Sequence, residues 1–85
     1  MLIEFAEPVT VGILELREYL PLGQRIDRFS FDAADERGAW RTVATESGIG
    51  SRRLVRLFPV TGRRFRLRVN SATRPPALSG LRLFA

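Results

Sequence analysis

Residues 64–69, Arg64-Phe65-Arg66-Leu67-Arg68-Val69, alternate guanidinium and hydrocarbon at a strict period of two. An extended strand places every second side chain on one side, so this stretch puts Phe65, Leu67 and Val69 on a core and the three arginines in water. A helix would scatter the same residues around its circumference. The alternation recurs in Leu14-Glu15-Leu16-Arg17, in Arg28-Phe29-Ser30-Phe31-Asp32-Ala33, in Leu54-Val55-Arg56-Leu57 and in Leu81-Arg82-Leu83-Phe84. With Leu2 to Phe5, Val9 to Val11 and Trp40 to Thr45, the pattern predicts about seven short strands, the spacing of an all-β sandwich or barrel.

The punctuation fits this reading. Asp35-Glu36-Arg37-Gly38 stands between two strand patterns, and Gly38 can take positive φ at little cost, so a hairpin joining Phe29–Ala33 to Trp40–Thr45 is expected. Pro21-Leu22-Gly23, Pro59 to Gly62 and Arg74-Pro75-Pro76 read as loops, because proline cannot donate to a ladder. Gly80, inside the last strand pattern, predicts a bulge or a close backbone approach. With 85 residues and no internal repeat or linker, residues 1–85 are expected to form one antiparallel domain in which two sheets share one core.

Composition removes most enzyme classes. The chain is 45% hydrophobic and 27% charged, enough apolar content for a packed core, and it contains neither cysteine nor histidine. Disulfides, Cys/His zinc sites, thiol nucleophiles and histidine-based acid/base chemistry are therefore excluded. No cofactor and no metal are called for. No window is long and apolar enough to span a bilayer, and Met1 to Glu7 carries acids where a signal peptide carries bases, so no membrane partner is expected.

All 14 basic residues are arginine, against nine acids, for a net charge of +5. Arginine pairs bidentately with carboxylates and phosphates, so this surface could serve an acidic partner. A GC-rich coding sequence also favours arginine, and the absence of lysine everywhere fits that simpler cause. Arg64, Arg66 and Arg68 project from one face about 7 Å apart. The aromatic interleaving of a nucleic-acid platform is missing from that face, because Phe65 points the other way. The stripe reads as a solvated face or one that docks on an acidic neighbouring domain. Gly48-Ile49-Gly50 lacks the spacing of a phosphate loop.

Glu18 and Arg25 flank a proline and a glycine, so a turn can bring them together as an ion pair that clamps the intervening loop. Gln24 is expected to satisfy backbone groups in the same turn. Trp40 follows the hairpin turn, and core packing is the expected use of its indole, with stacking on a sugar ring as the alternative.

The run from Leu16 to Ile26 (Leu-Arg-Glu-Tyr-Leu-Pro-Leu-Gly-Gln-Arg-Ile), then Phe29-Ser30-Phe31, Trp40 to Ala44, Ile49-Gly50 with Arg52-Arg53-Leu54, and Phe65 to Val69 with Pro76 to Ser79, resembles the C-terminal domain of bacterial α-L-fucosidases of glycoside hydrolase family 29. The resemblance covers about Leu2 to Phe84. It implies a discoidin-type, galactose-binding-like β-sandwich of jelly-roll topology, here without the N-terminal strands that such domains carry. It makes Arg53 a rival partner for Glu18 and brings Arg17, Trp40 and Arg52 forward as candidate sugar contacts. Ser51 stands where the family usually has an aromatic residue, and Arg52 where it often has lysine. The parent activity implied is retaining hydrolysis of terminal α-L-fucose, which needs two carboxyl groups about 5 to 5.5 Å apart. In that family they belong to a separate catalytic barrel, so no catalytic residue is assigned here.

The resemblance thus implies a non-catalytic accessory domain of a periplasmic or secreted fucosidase, with the catalytic barrel as partner and carbohydrate as candidate ligand. The alternative is a free-standing Arg-rich β-module that binds nucleic acid or another acidic partner. A sandwich without its first strands would also expose a sheet edge, and self-association through that edge is expected.

Overall fold

The computed structural model describes residues 1–18, 26–49, 52–72 and 78–85. The fold is all-β and antiparallel. Its strands are β1 (Leu2–Glu18), β2 (Ile26–Ala34), β3 (Trp40–Ser47), β4 (Arg53–Ala72) and β5 (Leu78–Phe84), ordered β3-β2-β4-β1-β5 in one sheet. The expected segments are therefore present, but several are joined. Leu2 to Phe5, Val9 to Val11 and Leu14 to Arg17 run together as β1, and Leu54 to Leu57 is continuous with Arg64 to Val69 as β4.

The loop expected at Pro59 to Gly62 is a correction: Val60, Thr61 and Gly62 pair with Val11, Thr10 and Val9. Proline is accommodated because Pro59 falls at a register shift. Between Val11↔Val60 and Ile13↔Arg56, β4 takes up more residues than β1, which leaves Pro59 outside the ladder. A second shift lies between Glu4↔Arg64 and Val9↔Gly62, with the surplus on β1. Thr10 and Thr61 hydrogen-bond across the ladder at 2.7 Å between these shifts.

These bulges let one sheet do the work expected of two. The C-terminal part of β4 pairs with β2, and the C-terminal part of β1 pairs with β5. Leu14, Leu16 and Val55 from one end join Phe29, Phe31, Phe65 and Leu67 from the other in a single buried cluster. Outward residues still alternate with inward ones, so the period of two survives each bend with its phase reset.

The β2–β3 hairpin forms as its turn chemistry predicts. Gly38 has φ of 83°, and the Asp35 carboxylate accepts the amides of Arg37 and Ala39 at 2.8 and 2.9 Å. The bulge predicted at Gly80 is also present, since Arg17 pairs with Gly80 but Glu18 with Leu78. The loops assigned to Pro21–Gly23 and Arg74–Pro76 lie outside the described residues.

Candidate functional site

The outer face of β4, β2 and β3 is organised around a buried carboxylate. Asp32 faces Arg66 on β4 and Thr42 on β3, and its side chain is only 1% exposed. Arg66 Nε and Arg68 Nε each donate to Oδ2 at 2.6 Å, and a second Arg68 nitrogen reaches Oδ1 at 3.1 Å and the Thr42 hydroxyl at 3.2 Å. Burial alone would raise the Asp32 pKa. Hydrogen bonds from Arg68, Arg66 and Thr42, with the positive charge of Arg68, outweigh it and hold the carboxyl down at about 2.

The next row has the same character, with Asn70 Nδ2 donating to Ser30 Oγ at 2.6 Å and Ser30 meeting Thr45 at 3.1 Å. The arginine stripe is thus only partly the solvated face expected of it, because Arg66 and Arg68 are held within the fold by Asp32.

Trp40 lies on this outer face, which corrects the expectation of core packing. Its partner across β2 is Ala34, it is half-buried, and the core cluster does not include it. The Arg66 guanidinium lies 4.4 Å from the ring centroid and that of Arg64 5.5 Å, a doubled cation–π contact. An aromatic residue therefore does sit among the stripe arginines. It comes from β3, which the alternation within β4 could not reveal.

Next to this stack opens a cleft of about 570 Å³. It lies between Glu4, Phe5 and Pro8 of β1, residues 34–36 and 38 of the hairpin, and residues 61–64 of β4. Gly62 belongs here for a steric reason, since a Cβ at this position would come within 3.2 Å of the Ala34 carbonyl. Glu4, Glu36 and Arg63 carry no ion pair among the described residues. Two carboxylates that accept and guanidinia that donate stand here beside the half-buried Phe5, a lining able to hydrogen-bond a polar ligand. Arg64 links the cleft to Trp40, because it lines one and covers the other. Among the described residues no group of three or more acidic side chains converges as a metal site would require.

The remaining candidates separate into other places. Glu18 is buried at the end of β1, and its Oε2 accepts the Ile26 amide at 3.1 Å. Arg25 and Gln24 lie outside the described residues, so the Glu18–Arg25 pair does too. Arg53, the rival partner, binds Glu46 at 3.0 Å and the Ser47 carbonyl at 3.0 Å. Arg17 and Arg52 converge on Glu15, at 3.4 and 3.2 Å. Trp40 therefore belongs to one cluster, and Arg17 and Arg52 to another. The cleft itself was invisible in the sequence, because its walls come from strand bends and not from any motif.

No protein-family model matches the chain. Alpha-L-fucosidase 1 of Arabidopsis thaliana is 33% identical over 84 residues, 96% of this chain and 17% of that protein, so the chain spans about a sixth of the relative's length. SpGH29 superposes with a TM-score of 0.91 at 29% identity, over 98% of this chain and 18% of that one. A GH29 fucosidase of Ruminococcus gnavus, solved in complex with fucose, gives 0.84 at 22% identity over 98% and 17%. The same fold recurs in chitosan-binding module 1 of a Paenibacillus chitosanase/glucanase, with a TM-score of 0.81 at 16% identity, 99% of this chain and 65% of that module. Over nearly its whole length, the chain is therefore similar in sequence to one segment of an α-L-fucosidase and has the β fold that recurs in solved GH29 fucosidases.

Proposed function

We propose that this chain is a non-catalytic accessory module of an α-L-fucosidase, one that holds saccharide in the cleft beside Trp40 and supports a catalytic barrel. The observation that carries this reading is the extent of the match: the whole chain corresponds to less than a fifth of the fucosidases, yet to most of a module named for binding chitosan. The acids agree with a binding role. Asp32, Glu15 and Glu46 are neutralised by arginine, Asp35 is committed to its turn, and the buried Glu18 accepts the Ile26 amide at the end of β1, away from the cleft. Glu4 and Glu36 are exposed, whereas glycosidase acid catalysis uses a carboxyl held in an apolar pocket.

Titration with L-fucose, galactose and glucosamine oligomers, followed through Trp40 fluorescence, tests the binding role. A saturable change with a dissociation constant on the order of 1 mM is expected for so open a cleft, and Arg63→Ala should weaken it about tenfold. Silence with every saccharide at tens of millimolar would overturn the sugar-binding part of the reading.

Among the described residues β3 and β5 are the outer strands, and neither outer edge has a partner. We further propose that the isolated chain self-associates through one of these edges at high concentration. Light scattering that finds a monodisperse monomer there would refute this.

A further inference from the structure

The outer face of β4, β1 and β5 presents an apolar diagonal inside a rim of arginine. The register sets Arg56, Ile13 and Phe84 in one row and Leu54, Glu15 and Arg82 in the next. Leu14, Leu16 and Val55 point to the core, so this set points away from it. Leu54 is 52% exposed and Phe84 43%, and Phe58, displaced at the bulge just beyond Arg56, is 94% exposed. Isolated exposed apolar side chains are ordinary, but a contiguous group spanning three strands is not. Four arginines (Arg17, Arg52, Arg56 and Arg82) surround it with one acid, Glu15, for a local charge of +3. Glu15 is buried beneath Arg17 and Arg52 and holds both guanidinia in place before any partner arrives.

We infer that this face docks on an acidic protein surface with an apolar centre, of the kind a neighbouring domain of a longer polypeptide presents. The inference rests on the accessory-module reading and names the surface that would serve it. The arrangement decides the partner class. A duplex nucleic acid or polyanionic saccharide is tracked by rows of cations with few apolar contacts, and a single strand by aromatics set between cations along a groove. Here the aliphatic Ile13 and Leu54 hold the middle beside Phe84 and charge holds the rim, as in protein interfaces. A second copy is disfavoured, since a two-fold contact would oppose +3 to +3. Three strands by two rows give roughly 200 Å², well short of the roughly 800 Å² per partner of free-standing complexes. A tethered domain, whose effective concentration reaches the millimolar range, can be held by so small a patch.

Backbone amide shifts of the intact chain, recorded at dilution that keeps it monomeric, test this with a synthetic peptide alternating glutamate with leucine and phenylalanine. The expected result is a set of shifts confined to the rows around Ile13, Leu54 and Phe84. They should weaken at least tenfold in Arg56→Glu with Arg82→Glu and in Leu54→Ser with Phe84→Ser, with melting temperatures showing that both variants fold. Shifts that map instead to the Arg64–Trp40 face, or none at all, would overturn the inference. So would polyglutamate binding as tightly as the peptide, which would remove the apolar centre from the interaction, or heparin binding more tightly at the same rows. Saccharide binding in the cleft is read separately through Trp40, so a chain that binds sugar but not the peptide loses only this inference.

Discussion

Replacing Asp32 by alanine is expected to lower the unfolding free energy by about 3 kcal/mol, at the low end of what removing one partner of a buried ion pair costs, because its arginines are partly hydrated. For a domain of this size that is a drop of more than about 10 °C in melting temperature. The carboxylate accepts three short hydrogen bonds from two guanidinia, and its side chain is 1% exposed while Arg66 and Arg68 are 35% and 44% exposed. The asymmetry fixes the order of effects. Arg66→Met should cost roughly 1 kcal/mol, since Arg68 still pairs with the carboxylate through two hydrogen bonds. Asp32→Asn should fall between the two, because an amide keeps one acceptor but turns donors toward donors. Chemical denaturation measures all three, and an Asp32→Asn midpoint indistinguishable from wild type would mean that the clamp does not hold the sheet.

The same group makes stability depend on acidity. Its pKa falls from the ordinary 3.8 to about 2 on folding, so the ionised form is the one the native state prefers. The stabilisation is therefore complete above the unfolded value and is lost as pH drops from about 4 through 2. After allowance for the partly exposed arginines it amounts to about 1 to 2 kcal/mol, and the acid-induced loss should be absent in Asp32→Ala. Trp40 supplies a local readout. Arg66 bonds Asp32 and stacks on the indole, so removing the carboxylate should change Trp40 emission at pH 7, where the chain is still folded.

Strand identity was legible wherever one face meets water, because alternation survives as long as the two sides differ in solvent. Arg64 to Arg68 is such a stretch, although Val69 beyond it is exposed and not in the core. Phe29 to Ala33 kept its alternation because its outward Ser30 and Asp32, buried under their polar partners, are still polar. The Asp35–Gly38 turn was legible because φ of 83° asks for glycine. Continuity was not legible. Pro59 signals a loop in every local reading, and only the partner strand reveals that the chain continues past it as β4. The outer cluster failed for a related reason: alternation places Arg66, Arg68 and Asp32 on outward faces of two strands without saying which strands are neighbours, and it leaves Trp40 expected in the core. Once the order β3-β2-β4 is fixed, opposite charges facing each other across a ladder become the obvious arrangement.

Truncating Phe65 to alanine is expected to have the largest effect of any single change, about 3 to 5 kcal/mol, a large part of the roughly 4 to 13 kcal/mol that a domain of this length commands. Phe65 is fully buried, pairs with Ile3 on one side and Ala33 on the other, stacks on Phe31 with centroids 5.6 Å apart and meets Phe5 edge-on at 6.1 Å. It is the inward residue between Arg64 and Arg66, so its seating in the core orients both outward guanidinia over Trp40. Loss of the ring would leave a void among aromatic neighbours that a coiled sheet pinned by ladders on both sides cannot readily collapse. Phe65→Leu, which keeps most of the volume, should cost less than half as much and preserve the Trp40 emission spectrum. If the alanine variant instead lost no more than the leucine variant, the two ends of the sheet would not share the core on which the cleft and the arginine–tryptophan stack both depend.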